Sequence, residues 1–300
     1  MSEQVVGQDR TVVVSGASTG LGRACARHLD HLGFRVFAGV RRPADAEALQ
    51  AGSSPRLRPI MLDVTHEESV AQAATLVAAH VGDRGLWGLV NNAGICVSAP
   101  LECVTPAQLR HQLETNLIGH HAVIQAFLPL SRTAHGRIVN VSSGLGRVAS
   151  PYLGAYAASQ FAKEGYSDAL RRELRPQGVT VSVVQPGAIR TPIWEKVSEV
   201  GHGTLDGAPE EIAELYRDSF LRFLENNDRR ARASATRPEG FAVAVAHAMT
   251  ARRPKTRYRV GRDSRVTSVL ARVLPDEILD AAFAAVVGGL PAARATSPES

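Results

Sequence analysis

Apolar residues arrive along this chain in two rhythms. Short unbroken runs alternate with longer stretches in which they recur every three or four positions. The runs are T-V-V-V-S at 11–15, F-R-V-F-A-G at 34–39, R-L-R-P-I-M-L-D at 56–63 and W-G-L-V at 87–90, followed by R-I-V-N-V at 137–141, V-T-V-S-V-V at 179–184 and R-Y-R-V at 257–260. They are too short for helices and rich in β-branched residues, and the continuous apolarity of the first predicts a strand buried on both faces. Helical periodicity fills the gaps, over 23–32, 67–80, 105–130, the alanine-rich run after Tyr156, and 238–250. Val70, Ala74 and Val77 share one face of the second of these, and Thr105 followed by Pro106 marks the start of the third. Regular alternation of strand and helix predicts an α/β fold, a parallel sheet of about seven strands with helices on both faces.

The first strand runs directly into S-G-A-S-T-G-L-G, which places Gly16, Ser18, Gly20, Leu21 and Gly22 in a turn and the opening of a helix. Glycines let a backbone approach a pyrophosphate closely, and a helix N-terminus offers unpaired N–H groups and a positive dipole end. The pattern predicts the phosphate-binding turn of a Rossmann-type, doubly wound dinucleotide fold, with G-x-x-x-G-x-G spacing in place of G-x-G-x-x-G, the alternative being a simple tight turn. At the end of the second strand a carboxylate would bond adenosine ribose hydroxyls. Here Val40, Arg41 and Arg42 stand instead, and a guanidinium pairs with a 2′-phosphate, so Arg41 points to NADP over NAD.

Three hundred residues, 44% of them hydrophobic, suit one large domain. No linker or repeat divides it: residues 1–265 read as the dinucleotide-binding and catalytic unit, with a substrate lid around 190–230, and 266–300 as a C-terminal extension serving as packing arm or dimer contact. Glu195–Asp228 is glycine-interrupted and then helical, and Trp194, Leu215, Phe220 and Phe223 can supply the inner face of that lid, with plain core packing an equal reading for the last three. Lys and Arg exceed Asp and Glu by five, with much of the excess in Arg252, Arg253, Lys255, Arg257, Arg259, Arg262 and Arg265. That cluster reads as a solvated basic face, since no nucleic-acid-binding motif or aromatic platform accompanies it. Cys25, Cys96 and Cys103 lack metal-ligand spacing and read as reduced thiols in a cytoplasm, with no metal expected. Met1–Arg10 is polar, so no signal peptide is expected, and Ile278–Leu290 contains Asp280 and is too short for a membrane span.

The strand at 137–141 ends in Ser142-Ser143, and Tyr156 opens the next helix. Ketone reduction needs a hydride donor and a proton for the developing alkoxide. A tyrosine hydroxyl can supply that proton, and a serine hydroxyl can polarise the carbonyl. Together with the glycine turn, Asp63-Val64, the N-N-A-G of 91–94, Asn116 in E-T-N-L-I-G and the P-G-x-x-x-T of 186–191, this arrangement resembles the short-chain dehydrogenase/reductase family over about residues 10–262. L-G-F-R-V-F-A-G and Y-x-A-S-x-F-A-x-E-G are most similar to the branch containing retinol and 17β-hydroxysteroid dehydrogenases. The resemblance implies that Asp63 and Val64 meet the adenine, that Asn91 and Gly94 brace the sheet and touch the cofactor, and that Pro186, Gly187 and Thr191 cover the nicotinamide. It implies that Ser143 and Tyr156 are catalytic and that the main-chain carbonyl of Asn116 takes part in a proton relay. It further implies a homodimer or homotetramer built through the helices carrying Asn116 and Tyr156; Leu170, Leu174 and the alanines of 155–162 offer small and apolar contact positions there, or simply face the sheet.

One position departs from the family. The residue four after the tyrosine, a lysine in the family that lowers the tyrosine pKa and holds the nicotinamide ribose, is Gln160 here. Gln160 can still bond a ribose but carries no charge. Lys163, seven residues after Tyr156, lies within about 20° of the same helix face but roughly 10 Å along the axis. It is expected to be a surface lysine pairing with Glu164 or Asp168, the alternative being that its side chain, leaning toward the helix N-terminus, reaches back to substitute for the missing lysine. The leading function is therefore an NADP-dependent oxidoreductase interconverting an apolar ketone or aldehyde and an alcohol, with a steroid-, retinoid- or polyketide-like substrate. Gln160 keeps two alternatives open: a cofactor-binding cyclase or isomerase that uses Tyr156 as an acid, and a redox-impaired nucleotide-binding protein.

Overall fold

The computed structural model describes residue 7 and residues 9–287. The expectations for Met1–Arg10 and for the end of the Ile278–Leu290 stretch lie partly outside them. In chain order the elements are β1 (Thr11–Val14), α1 (Gly20–His31), β2 (Arg35–Val40), α2 (Pro43–Gln50), β3 (Leu57–Met61), α3 (Glu67–Val81), β4 (Gly88–Asn91), α4 (Pro106–Leu113) and α5 (Gly119–Thr133). There follow β5 (Arg137–Val141), α6 (Gly154–Leu174), β6 (Thr180–Pro186), α7 (Ile193–Asp206), α8 (Glu210–Ala233), α9 (Pro238–Thr250), β7 (Arg257–Val260), α10 (Arg262–Val273) and α11 (Asp276–Val286).

All seven strands pair in parallel, in the order β3-β2-β1-β4-β5-β6-β7, with helices on both faces. The central strands are buried on both faces, which is why β1 reads T-V-V-V and β5 R-I-V-N-V without alternation. One core layer joins Val12 and Val14 to Leu29, Phe34, Phe241 and Met249 under α1 and α9. The other joins Val13 and Leu89 to Val70, Val77, Phe127 and Leu170 under α3, α5 and α6. A third cluster, of Tyr152, Leu205, Phe220, Phe223 and Leu224, holds the α7–α8 segment onto the body. Full burial of such side chains contributes about 1.5–3 kcal/mol each before the entropy of ordering them.

Four points differ from expectation. The stretch 105–130 is one helical run interrupted by a π-turn at Glu114–Ile118, so α4 and α5 are offset around Asn116. A change in register of this kind frees backbone groups and recurs at functional sites. The apolar periodicity of 43–50 is too weak to announce α2, which starts on Pro43 and buries only Leu49. Arg257, expected in a solvated basic face, is instead paired with Glu164 and Asp168, both at 2.9 Å. The C-terminal segment starts its own helix at Arg262, before the expected boundary at 266, and returns to the cleft. Among the described residues no helix is long and apolar enough to cross a membrane.

Candidate active site

Strand order reverses between β1 and β4, so the loops after those strands diverge and open a crevice at the carboxyl edge of the sheet. A cleft of about 380 Å³ occupies it. Gly16 leaves β1 with φ at +64°, and a Cβ there would lie 2.7 Å from the Ala93 Cα. A Cβ on Gly22 would run into the Gly16 carbonyl and lie 2.5 Å from Asn92 Nδ2. Only glycines let this turn and the first turn of α1 close so tightly, and the cradle they leave exposes main-chain N–H groups at a helix start, which fits a dinucleotide pyrophosphate.

Gly16, Ser18, Gly20, Leu21, Gly22, Arg41, Asp63, Val64 and Gly94 all line the cleft, as do Pro186, Gly187 and Thr191. Arg42 is tied to Asp45 by two hydrogen bonds of 2.9 and 3.2 Å, which leaves Arg41 as the exposed guanidinium facing the cleft. Burial pushes the Asp63 carboxyl up, but bonds from the Thr65 N–H and hydroxyl, with Arg41 nearby, hold it below its ordinary value. Asn91 is placed to brace the sheet, as expected, but does not line the cleft, where contact with the cofactor is expected. It is fully buried within β4, donating to Asn140 Oδ1 at 3.0 Å, because its register opposite Asn140 turns it into the sheet. Its neighbour Asn92 lines the cleft and clamps the glycine turn through the Ser15 and Gly16 carbonyls, both at 3.1 Å.

At the other end of the cleft, Ser143 and Tyr156 line one wall with Gln160. Burial raises the Tyr156 hydroxyl above its ordinary pKa, a Cys96 thiolate would raise it further, and the adjoining Ser143 hydroxyl pulls it down. Neutral Tyr156, a proton donor, is therefore the form present near pH 7. Asn116 lies in the π-turn and uses its side chain on Ile95, accepting from its N–H at 2.9 Å and donating to its carbonyl at 3.0 Å. That leaves only the main chain of Asn116 for a relay. Gln160 is buried, and among the described residues its Oε1 has no partner.

Lys163 overturns its expectation. It is 2% exposed, lines the cleft, and donates from Nζ to the Val141 carbonyl at 3.0 Å. Glu164, its expected partner, points about 100° round α6 from it and is bonded to Arg147, Gln185 and Arg257 instead. Asp168 pairs with Arg171 and Arg257. The side chains of a helix lean toward its N-terminus, and that lean brings the long lysine back beneath the tyrosine turn.

Trp194 and Phe223 line the cleft as the expected lid face. Phe220 is fully buried behind them against Tyr152, with ring centroids 5.3 Å apart, whereas Leu215 is 40% exposed on the outer side of α8. Leu215 lies five residues, about 140°, round α8 from Phe220, off the buried stripe of Ala213, Phe220, Phe223 and Leu224. Sequence reasoning also missed Cys96, Asp263, Ser264, Thr267 and Phe283, which reach the cleft from the loop after β4 and from α10 and α11. Nothing local marks them, since their place is set by where distant elements pack.

The family model described as short chain dehydrogenase matches residues 10–200. A 3-amino-tetrahydro-pyrrolizinone reductase from Xenorhabdus hominickii is 42% identical over 91% of this chain and 94% of its own. The 17-beta-hydroxysteroid dehydrogenase type 6 of Rattus norvegicus is 39% identical over 92% of this chain and 88% of its own. Among solved structures, a short chain dehydrogenase from Burkholderia cenocepacia in complex with NADP aligns with a TM-score of 0.70 at 26% identity, covering 94% of this chain and 99% of its own. With the glycine cradle after β1 and the serine–tyrosine wall on one cleft, and this similarity over nine-tenths of its length, the chain belongs to the short-chain dehydrogenase family.

Proposed function

We propose that this protein is an NADP-dependent oxidoreductase that interconverts an apolar ketone or aldehyde and the corresponding alcohol. The observation that carries the reading is the continuous cleft that joins the glycine cradle and Arg41 at one end to Ser143 and Tyr156 at the other. NADPH supplies the hydride when bound. Ser143 donates a hydrogen bond to the carbonyl oxygen, and Tyr156 gives its hydroxyl proton to that oxygen as the alkoxide forms; oxidation reverses both transfers. Leu145, Leu153, Trp194, Phe223 and Phe283 give the substrate end an apolar lining, which suits a fused-ring, retinoid or polyketide-like molecule. The steroid and pyrrolizinone names of two relatives accord with such a range. Following NADPH absorbance with a panel of apolar ketones tests the reading; tight NADPH binding without oxidation by any ketone would favour the non-redox alternatives.

The cofactor choice rests on Arg41. A charge-assisted bond is worth about 1.5–3 kcal/mol, so Arg41→Asp is expected to raise the Kd for NADPH by about 10–100-fold and to leave that for NADH nearly unchanged. Titration of both by fluorescence checks this; equal losses would refute the assignment.

The assembly reading also changes in detail. Leu170 and Leu174 are core residues, and Ala155 and Ala157 are buried. The exposed stripe of α6 is Ala158, Phe161, Gly165 and Ala169, with Phe161 45% exposed. Small residues at this spacing allow close helix approach, and Phe161 gives the apolar anchor of a homodimer or homotetramer. Phe161→Arg is expected to yield monomers by light scattering at micromolar concentration while NADPH binding persists. Free thiols at Cys25, Cys96 and Cys103 accord with a reducing, cytoplasmic setting.

A further inference from the structure

We propose that Lys163 is the cation of this active site and that it divides with Gln160 the binding of the vicinal hydroxyls of the nicotinamide ribose. The inference rests on the cofactor reading above and concerns residues of this chain alone.

Two buried groups on one wall of the cleft are left short of partners. An ammonium has three N–H donors, and among the described residues the Val141 carbonyl is the one acceptor bonded to Lys163. Buried cations are retained where something pairs with them, yet the neighbouring carboxylate of Glu164 is bonded to Arg147, Gln185 and Arg257 and makes no hydrogen bond to the ammonium among the described residues. One turn back on the same cleft wall, Gln160 Oε1 is a buried acceptor with no donor among the described residues. A vicinal diol completes both: one hydroxyl donates to Gln160, and both accept from the ammonium. Val141 ends β5 immediately before Ser142 and Ser143, so the anchored ammonium stands beside the serine–tyrosine wall rather than on the surface. The cation that four-residue spacing would place on the helix is delivered from seven residues along, by a longer reach.

The groups facing Lys163 agree. On α5, His120 is buried, with Nε2 2.6 Å from the Ala93 carbonyl, so that nitrogen carries the proton and the unpartnered Nδ1 is an acceptor. Burial first, and the Lys163 charge second, hold His120 neutral. Burial lowers the Lys163 ammonium itself to about 7, with Glu164 opposing. Hydroxyl acceptors favour the charged form, so NADPH binding must raise that value. Between pH 7 and the raised value, binding then takes up a proton.

The chain contains three lysines, Lys163, Lys196 and Lys255, so lysine labelled with ¹³C at Cε gives three assignable signals in the intact protein. One signal is expected to titrate near pH 7 and to move up by at least about one unit on saturation with NADPH. Calorimetry at pH 8 in two buffers of different ionisation heat should show the matching proton uptake. Lys163→Met should abolish that uptake, raise the NADPH Kd and lower turnover, each of the last two by at least about tenfold. The double variant Gln160→Lys/Lys163→Met, which moves the cation back one turn, should recover most of both. No movement of the Lys163 signal on NADPH saturation, or a Lys163→Met protein with unaltered Kd and proton uptake, would overturn the proposal while leaving the cofactor reading intact. Failure of the wild-type protein to bind NADPH at all would instead remove the cofactor reading. The labelling measurement needs no substitution, so it decides the matter even where Lys163→Met does not fold.

Discussion

Tyr156→Phe is expected to lower ketone reduction by about 10²–10⁴-fold, the usual contribution of a positioned proton donor, without weakening NADPH binding. The variant loses only the hydroxyl, and α6 keeps its place because Ala155 and Ala157 beside Tyr156 are the residues packed inward. The direction of the pH effect follows from the same site. Burial holds the hydroxyl protonated, and in the reductive direction the protonated form is the active one. Reductive turnover should therefore not fall between pH 6 and 8 for want of the tyrosine proton. In the oxidative direction tyrosinate is the base, and rates should climb with pH over that range. Steady-state rates in both directions, with a parallel NADPH titration of Tyr156→Phe, check all three points. A variant that keeps more than a tenth of the wild-type reduction rate would remove Tyr156 from the proton-donor role.

Gly22→Ala is expected to raise the Kd for NADPH by about 10–100-fold, from about 1–3 kcal/mol of overpacking. The added Cβ meets the Gly16 carbonyl and Asn92 Nδ2, and the carbonyl is backbone that cannot swing aside. Either the turn opens, and the N–H groups that face the pyrophosphate separate, or α1 shifts and its packing on Phe241 and Met249 loosens. Affinity and thermal midpoint measured together distinguish the two routes, since the first changes mainly Kd and the second mainly Tm. A protein unchanged in both would show that the cradle is not the phosphate site. Gly52→Ala is the control, because no atom lies within 4 Å of its Cβ and it is remote from the cleft. Its own φ of +77° carries a small strain, so a slight fall in Tm without change in Kd is the expected result.

Much of the architecture was legible in the order of residues because its signals are local. T-V-V-V and R-I-V-N-V announce strands covered on both faces, and the parallel seven-strand sheet then follows from strand–helix alternation, since parallel strands need crossovers. Gly16, Gly20 and Gly22 declare the cradle because a tight turn and a close approach leave no room for other residues. Ser143 and Tyr156 could be paired from their places on successive elements, and Arg41 from the strand end it follows. Each of these depends on neighbours within one strand–turn–helix unit.

What only the tertiary structure decided involves side chains whose environment is built by distant segments. Asn91 and Asn92 are adjacent in sequence, and only the register of β4 on β5 sends the first into the sheet and the second onto the cleft. Leu215 and Phe220 both read as apolar lid residues, yet the packing of α8 on Tyr152 buries one and exposes the other. Lys163 is the sharpest case. Charge and the acidic neighbour Glu164 suggest a surface ion pair, but Arg147 and Arg257, the latter from β7, claim that carboxylate. The carbonyl at the end of β5 claims the ammonium. The partners of a helical side chain are settled by the strands it covers, and those strands are brought beneath α6 by the fold of the whole chain.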